Sequence, residues 1–479
     1  MKFEPTYDSV SQHKIPQWYD DAKFGIFFHW SLFSVPAYAR SGQDLNSLGM
    51  EQGLGASMEN SPYAEWYLNK ARIAGSDTQK HHALTYGEDY SYFNFQKAFE
   101  EDAAFANMEE WAEFCKNAGA KYVVLVTKHH DGYCLWPSRH KNPNINGYQS
   151  PVDFVGQLTD AVRSRGLKMG LYYSGIFDWT FIDYPIKDMK SWILHHLPSQ
   201  EYCDYSVAQL YELIEKYQPS ILWNDIGFPP QYDLNQLFAD YYNAVPDGVV
   251  CDRYKQYILD KNQDRETQIE NWIKDREKAL ATGGLVSLLS HDAHCDYNTP
   301  EYAEHLDYRT KKWELTRGIG KSFGFNQMEN ADDMLTCEDI VKTLVDVVSK
   351  NGNLLLNVGP LADGTIPNMQ KLPLLQTGEW LKKNGESIYG TRCWKMQEGK
   401  TMSGQEVRYA VKQDTLYVSV LDSKLEAKTV IEGLDIPENS RIELLSEGKL
   451  LNWTNEEHKL SICIPEYKEQ PVHVFKIYR

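Results

Sequence analysis

Five apolar runs in this chain end in polar residues able to do chemistry. They close at His29-Trp30, at Lys128-His129-His130-Asp131-Gly132, at Tyr172-Tyr173-Ser174, at Trp223-Asn224-Asp225 and at Asp252-Arg253. Imidazoles, a guanidinium and tyrosine hydroxyls offer donors and acceptors for several hydroxyl groups. Aromatic faces offer a surface for C–H groups, so the set suits a sugar. Cleaving a glycosidic bond needs two carboxyl groups, one to attack or to activate water and one to give a proton. Asp225 follows an apolar run and precedes the rigid turn Ile226-Gly227-Phe228-Pro229-Pro230. That placement suits a fixed nucleophile; capping the following loop is the other role open to it. A lone buried histidine is most often a satisfied core residue, but five run ends with the same character favour a site.

Other chemistries fail on spacing. His29, His129, His130 and Asp225 are physically able to hold a metal, but the chain lacks an HxH pair whose two rings share one strand face. Neighbouring strand residues point to opposite faces, so His129 and His130 can share a site only where the strand has ended. The site is therefore read as metal-free. Gly318-Ile319-Gly320-Lys321-Ser322 contains a GKS, yet a phosphate loop needs glycine at position 315, which is Leu315. There is no HExxH.

The elements that must position these residues read as alternating strands and helices over the first four fifths of the chain. Strands are expected at 23–29, 121–127, 168–173, 221–224, 248–252 and 354–358. Helices lie between them: Asn107 caps one that Gly119 stops, Asp153 caps one that Gly166 stops, and others span 202–217, 234–245, 337–350 and 369–383. This rhythm fits a (β/α)8 barrel, in which active residues sit at the carboxyl ends of strands. The rival, a doubly wound sheet, usually shows a Gly-rich turn after its first strand, and none is present. After residue 388 the pattern changes to short alternating runs at 406–412, 415–421, 428–431, 441–445, 459–464 and 472–478, the signature of a β-sandwich. The expected division is a catalytic barrel over 1–387 and a sandwich over 388–479. Residues 254–294 are polar and irregular and read as an insertion or a long loop.

Bulk properties bound the rest. The chain has 479 residues and 49 Lys+Arg against 67 Asp+Glu, a formal net charge of −18. Phosphate-backbone binding needs a positive footprint, so nucleic acid is not an expected partner. No run approaches the roughly 20 apolar residues of a membrane span, and no membrane role is expected. The first residues lack the apolar core of a signal peptide, which favours a cytoplasmic protein or a trimmed leader. Eight scattered cysteines without CxxC spacing read as reduced thiols.

The motifs together resemble the α-L-fucosidases of glycoside hydrolase family 29, nearly end to end. The carrying segments are Phe24-Gly25-Ile26-Phe27-Phe28-His29-Trp30-Ser31, Glu65-Trp66-Tyr67, Ala118-Gly119-Ala120-Lys121-Tyr122 and Lys128-His129-His130-Asp131-Gly132-Tyr133. Further along come Leu171-Tyr172-Tyr173-Ser174, Leu222-Trp223-Asn224-Asp225, the stretch from Arg317 to Asn326 and that from Gly352 to Pro360. The resemblance implies a barrel followed by a β-sandwich, no cofactor, and retaining, exo-acting removal of terminal α-L-fucose from oligosaccharides or glycoconjugates. It implies Asp225 as nucleophile. His29, Glu65, Trp66, His129, His130, Tyr172, Trp223 and Arg253 would hold the sugar, and Phe323 would pack near its C6 methyl. Glu301, in the segment Asp296-Tyr297-Asn298-Thr299-Pro300-Glu301-Tyr302, is the expected general acid/base; Glu65 is its rival, with Glu304 and Glu314 as outside choices. A non-catalytic fucose-binding protein, a transfucosidase using the same residues and a metal-dependent barrel hydrolase are the alternatives. Homo-oligomerisation is left open.

Overall fold

The computed structural model describes residues 2–43, 45–283, 293–303 and 307–479, with the backbone alone for residues 46, 50, 282 and 283. Seven parallel strands form one sheet: β1 Phe24–Phe28, β2 Tyr122–Lys128, β3 Lys168–Ser174, β4 Ile221–Asp225, β5 Val249–Val250, β6 Trp313–Gly318 and β7 Gly352–Val358. Their order is β5-β4-β3-β2-β1-β7-β6. β1, β2 and β7 are buried along their whole length, as expected where helices cover one side of a parallel sheet and its own packed interior fills the other.

The gap between β5 and β6 is filled by residues 296–302. The Asp296 amide donates to the Val250 carbonyl at 3.0 Å. On the other side the Asn298 and Tyr302 amides donate to the Lys312 and Thr316 carbonyls at 3.0 and 3.1 Å, and the Glu314 and Thr316 amides donate back to Asn298 and Pro300 at 2.8 and 2.9 Å. This irregular stave runs parallel to β6 and closes the ring. Pro300 has no amide to give, so the stave pairs without becoming a regular strand. The domain is a TIM-like barrel with seven strands and one irregular stave.

Helix ends follow their caps. Asn107 Oδ1 accepts from the amides of Glu109 and Glu110 at the start of Met108–Asn117, and Asp153 accepts from Gly156 ahead of Phe154–Ser164. Thr336 and Asp339 make a capping box for Cys337–Ser349. Three sequence expectations need correction. The segment 254–294 is not wholly irregular: it contains the helix Arg265–Gly283, which packs against the helices Leu45–Asn60 and Met189–His195. β6 lay outside the expected strands because Glu314 and Arg317 interrupt its apolar character. β5 is two residues long rather than five, because after Val250 the chain turns to pair Asp252 with the stave.

The C-terminal part is an eight-stranded antiparallel sheet, β8 Arg392–Lys400, β9 Glu406–Lys412, β10 Thr415–Val420, β11 Lys428–Glu432, β12 Arg441–Leu444, β13 Lys449–Glu456, β14 Lys459–Cys463 and β15 His473–Tyr478. Its order is β11-β14-β13-β12-β15-β10-β9-β8, and Thr401, just after β8, pairs with Ile431 of β11. The sheet thus folds back on itself around its own core, which includes Val407, Leu416, Ile442, Ile462 and Phe475. It is a near-closed sandwich. β8 and β13, half exposed and rich in polar residues, lack the clean alternation that marked the other six. All eight cysteines are free. No described helix is long and apolar enough to cross a membrane.

Candidate active site

A pocket opens at the carboxyl ends of the barrel strands. It is lined by all eleven residues expected there: His29, Glu65, Trp66, His129, His130, Tyr172, Trp223, Asp225, Arg253, Glu301 and Phe323. β2 ends at Lys128, so His129 and His130 lie past the strand and both reach the cavity. Their turn is tight. Gly132 has φ +82°, and a Cβ there would lie 2.4 Å from Asp178 Oδ1, the carboxylate that holds buried Lys128 at 2.9 Å.

Asp225 is the last residue of β4. Tyr172 donates its hydroxyl to Oδ2 at 2.9 Å, while Arg253 Nη1 and the Ile226 amide donate to Oδ1 at 3.1 and 3.0 Å. Burial pushes this carboxyl above its usual range, against the pull of Arg253; the charge of Glu301 pushes the same way as burial. Ile226 has φ +65°, a costly conformation for a β-branched residue. The turn holds because it directs the Ile226 amide at the carboxylate.

Glu301 sits near the end of the closing stave. Tyr63 donates to Oε1 at 2.6 Å and Arg253 Nη2 to Oε2 at 2.9 Å. One guanidinium therefore touches both carboxylates. Arg253 also lies over the Trp223 ring, 4.8 Å from its centroid, and its charge is held firmly by Glu301, Asp225 and Asp252 despite burial.

The rival acid, Glu65, lies on the short turn Ala64–Trp66 and is 2 % exposed. Its Oε2 accepts from the Gly324 amide at 2.8 Å and from the Ser322 hydroxyl at 3.4 Å. Burial raises its pKa, and Lys70 beside it is lowered for the same reason. Glu314 lies deeper in the barrel, taking hydrogen bonds from Tyr19, Tyr122 and Trp223, and does not line the pocket. Glu304 falls outside the described residues.

The three histidines are held neutral. Burial lowers His29 to about 3, despite its 2.6 Å hydrogen bond to Asn357, and Arg253 adds to the drop. Burial pushes His129 and His130 well below their ordinary value, each imidazole opposes a charge on its neighbours, and Lys128 adds to the drop at His130, whose Nδ1 is 2.7 Å from the Ser174 hydroxyl. Neutral imidazoles both donate and accept, which suits sugar hydroxyls. Phe323 gives the pocket an apolar wall, its ring 4.9 Å from His29 and 5.2 Å from Tyr63.

Several lining residues were not signalled in the sequence. Tyr63, Tyr302 and Thr316 flank identified residues closely enough to have been considered. Trp192 comes from the helix Met189–His195, where nothing in its spacing points to the pocket. Among the described residues, His13, His294 and Asp296 bring ligand-type atoms within 4.8 Å of one another. Asp296 is already engaged there: Oδ1 contacts His13 Nδ1 at 2.7 Å, and Oδ2 accepts from Tyr242 at 2.9 Å and from the Val250 amide at 2.8 Å. The group ties the N-terminal segment to the foot of the closing stave.

The chain is similar to known proteins over most of its length. The family model described as Alpha-L-fucosidase matches residues 1–386. An alpha-L-fucosidase of Dictyostelium discoideum is 33% identical over 403 residues, which is 83% of this chain and 76% of that protein. The plasma alpha-L-fucosidase of Rattus norvegicus is 32% identical over 485 residues, covering 99% of this chain and 92% of the other. The crystal structure of Thermotoga maritima alpha-fucosidase in complex with a mechanism-based inhibitor is 38% identical, with a TM-score of 0.83 and 100% of each chain covered.

Proposed function

This chain belongs to the alpha-L-fucosidase family, and from that premise we propose how its own residues carry out retaining, exo-acting hydrolysis of terminal α-L-fucosides. Asp225 is the nucleophile and Glu301 the general acid/base. In the first step an Asp225 oxygen bonds to the anomeric carbon, the bond to the leaving oxygen breaks, and the proton of Glu301 goes to that oxygen. In the second step Glu301 takes a proton from water, the water oxygen bonds to the anomeric carbon, and the ester to Asp225 breaks.

The observation that carries this reading is the bridge through Arg253, 3.1 Å from Asp225 and 2.9 Å from Glu301. A retaining pair stands about 5–5.5 Å apart, closer than the pair of an inverting enzyme, and a single guanidinium is a bridge of that scale. Glu65 is tied by Oε2 to the Phe323-Gly324 loop, and among the described residues no side chain links it to Asp225 as Arg253 links Glu301, which supports a role in holding a sugar hydroxyl. His29, His129, His130 and Tyr172 serve the remaining hydroxyls, Trp66 and Trp223 line the ring, and Phe323 receives the C6 methyl. The substrate class is a fucosylated oligosaccharide or glycoconjugate.

Trapping with a 2-fluoro-fucosyl fluoride, followed by peptide mass analysis, tests the assignment. The label is expected on Asp225, and the first-formed fucose is expected to keep its anomeric configuration by NMR. A label on another side chain, or inverted product, overturns it.

A further inference from the structure

The guanidinium that spans the two carboxylates is itself fixed from behind. Arg253 Nε donates to Thr299 Oγ1 at 2.8 Å, and Nη2 donates to the Thr299 carbonyl at 3.2 Å. The Thr299 hydroxyl in turn donates to Asp252 Oδ1 at 2.7 Å, and its amide donates to the same oxygen at 3.0 Å. Asp252 Oδ2 accepts from Asn298 Nδ2 at 2.8 Å. Arg253 and Thr299 are 4% and 2% exposed, so water does not replace these contacts. The hydroxyl has one proton and gives it to Asp252, which leaves its lone pairs for Arg253. Direction is therefore set along the whole chain from Asp252 through Thr299 to Arg253.

Charge arithmetic gives this clamp a purpose. Before reaction, Asp225 is an anion and Glu301 carries the proton. After the first step Asp225 is a neutral ester and Glu301, having given up its proton, is the anion. Of the two reacting carboxyls, Arg253 faces one that is negative at each stage, but a different one, while Asp252 stays behind Thr299 throughout. A guanidinium free to follow either partner would leave the other state without its counter-ion, at a cost that is high in a buried site.

We propose that Arg253 is a stationary counter-ion that exchanges its anionic partner from Asp225 to Glu301 and back during each turnover, and that Thr299 and Asp252 are the positioning residues that hold it between them. This rests on the assignment of Asp225 and Glu301 given above. Arg253 is also faced by His29, just past β1, and by Tyr172 from β3; Asp225 by Tyr172 and by His130 Nε2 at 3.9 Å; and Glu301 by Tyr63, Glu65 and Tyr302. His29 and His130 are neutral and the tyrosines stay protonated across the working range; Glu65, raised to about 7 by burial, titrates within it in wild type and variant alike, so the difference between the two profiles reports the exchange between Asp225 and Glu301.

Thr299→Val removes the hydroxyl while keeping the shape, and Thr299→Ser restores it. The pH profile of kcat/KM on an aryl α-L-fucoside is measured for both. Thr299→Val is expected to lose roughly 10- to 100-fold at the wild-type optimum, the loss of one charge-assisted hydrogen bond. Both limbs of its profile are expected to move to higher pH by about half a unit or more, because each carboxyl loses part of its cationic neighbour. Thr299→Ser is expected to return both limbs to the wild-type positions. If Thr299→Val does not fold, Thr299→Ala, which removes the same hydroxyl and leaves the charge of Asp252 in place, is expected to move both limbs the same way. Limbs that stay in place while only the amplitude falls overturn the proposal. Fluorosugar labelling of wild-type Asp225 is run alongside. A label elsewhere overturns the nucleophile assignment, whereas a correct label with unmoved limbs overturns the counter-ion exchange alone.

Discussion

Ile226 and Tyr302 stand in the same relation to the two carboxylates: each directly follows one, and each has a left-handed backbone, with φ of 65° and 46°. The conformation is costly for any residue with a Cβ, and most costly for a β-branched one. At Ile226 the return is specific, since its amide reaches Asp225 Oδ1 at 3.0 Å. At Tyr302 the turn carries the hydroxyl to the Gly320 carbonyl at 3.1 Å, anchoring the end of the stave that holds Glu301.

This strain predicts an inverted order of stability. Glycine is ordinarily less stable than alanine within an element, by roughly 0.5–1 kcal/mol. At position 226 both substitutions remove the same buried side chain, but only glycine escapes the left-handed penalty. Ile226→Gly is expected to be more stable than Ile226→Ala by about 1 kcal/mol. Urea denaturation of the two variants checks the order. Activity should fall in both, as the apolar wall that the side chain contributes to the pocket is lost.

Asp225→Gly removes the attacking oxygen and keeps the barrel. Hydrolysis of an aryl α-L-fucoside is expected to fall by about 10⁴-fold or more, as for other covalent-catalysis residues. Added azide should restore measurable turnover and yield a fucosyl azide, because the vacated space admits a small external nucleophile. Circular dichroism and thermal unfolding separate this from misfolding.

The two candidate acids are told apart by leaving group. Glu301 is linked through Arg253 to Asp225, whereas Glu65 is anchored to Gly324. Glu301→Ala is expected to lose about 10²–10⁴-fold on natural glycans and much less on a nitrophenyl fucoside, whose leaving oxygen needs no proton. Glu65→Ala should weaken both substrates alike, raising KM. Steady-state kinetics over a series of aryl leaving groups decides it. The reverse pattern would move the acid/base role to Glu65.

How much of this was legible in the sequence follows from the kind of signal each part carries. β2 and β7 announce themselves through apolar runs, and the polar residues at the end of β2 mark the pocket. Asn107 and Asp153 name helix starts through side-chain chemistry that needs no tertiary context. The closing stave could not be read that way. Residues 296–302 are polar, contain Pro300, and gain their place from Asp252, His13 and Tyr242, all distant in sequence. Glu301 was identified through a resemblance; its partnership with Tyr63, 238 residues away, had no sequence trace. The helix Arg265–Gly283 was missed for a related reason: it is polar over much of its surface, and its support comes from two neighbouring helices.

Glu314 offers a test of barrel energetics apart from the reacting groups. It is fully buried, and Tyr19, Tyr122 and Trp223 donate to it at 2.9, 2.6 and 3.2 Å. Burial raises its carboxyl from 4.5 to about 7, outweighing those hydrogen bonds. In the unfolded chain the proton leaves near the ordinary value, while the folded protein keeps it until about 7. Between those points the folded state binds more protons, so its stability falls as pH rises and levels off above the folded value. At 1.36 kcal/mol per unit the contribution lost is about 3 kcal/mol. Glu314→Gln mimics the protonated acid at every pH and is expected to remove that decline. Denaturant unfolding of both proteins from pH 4.5 to 8 measures the difference, in which other buried carboxyls such as Asp131 and Glu329 cancel. The gain of the variant over wild type should grow with pH across this window and then hold constant. A difference that stays flat would mean that Glu314 ionises at its ordinary pKa within the barrel.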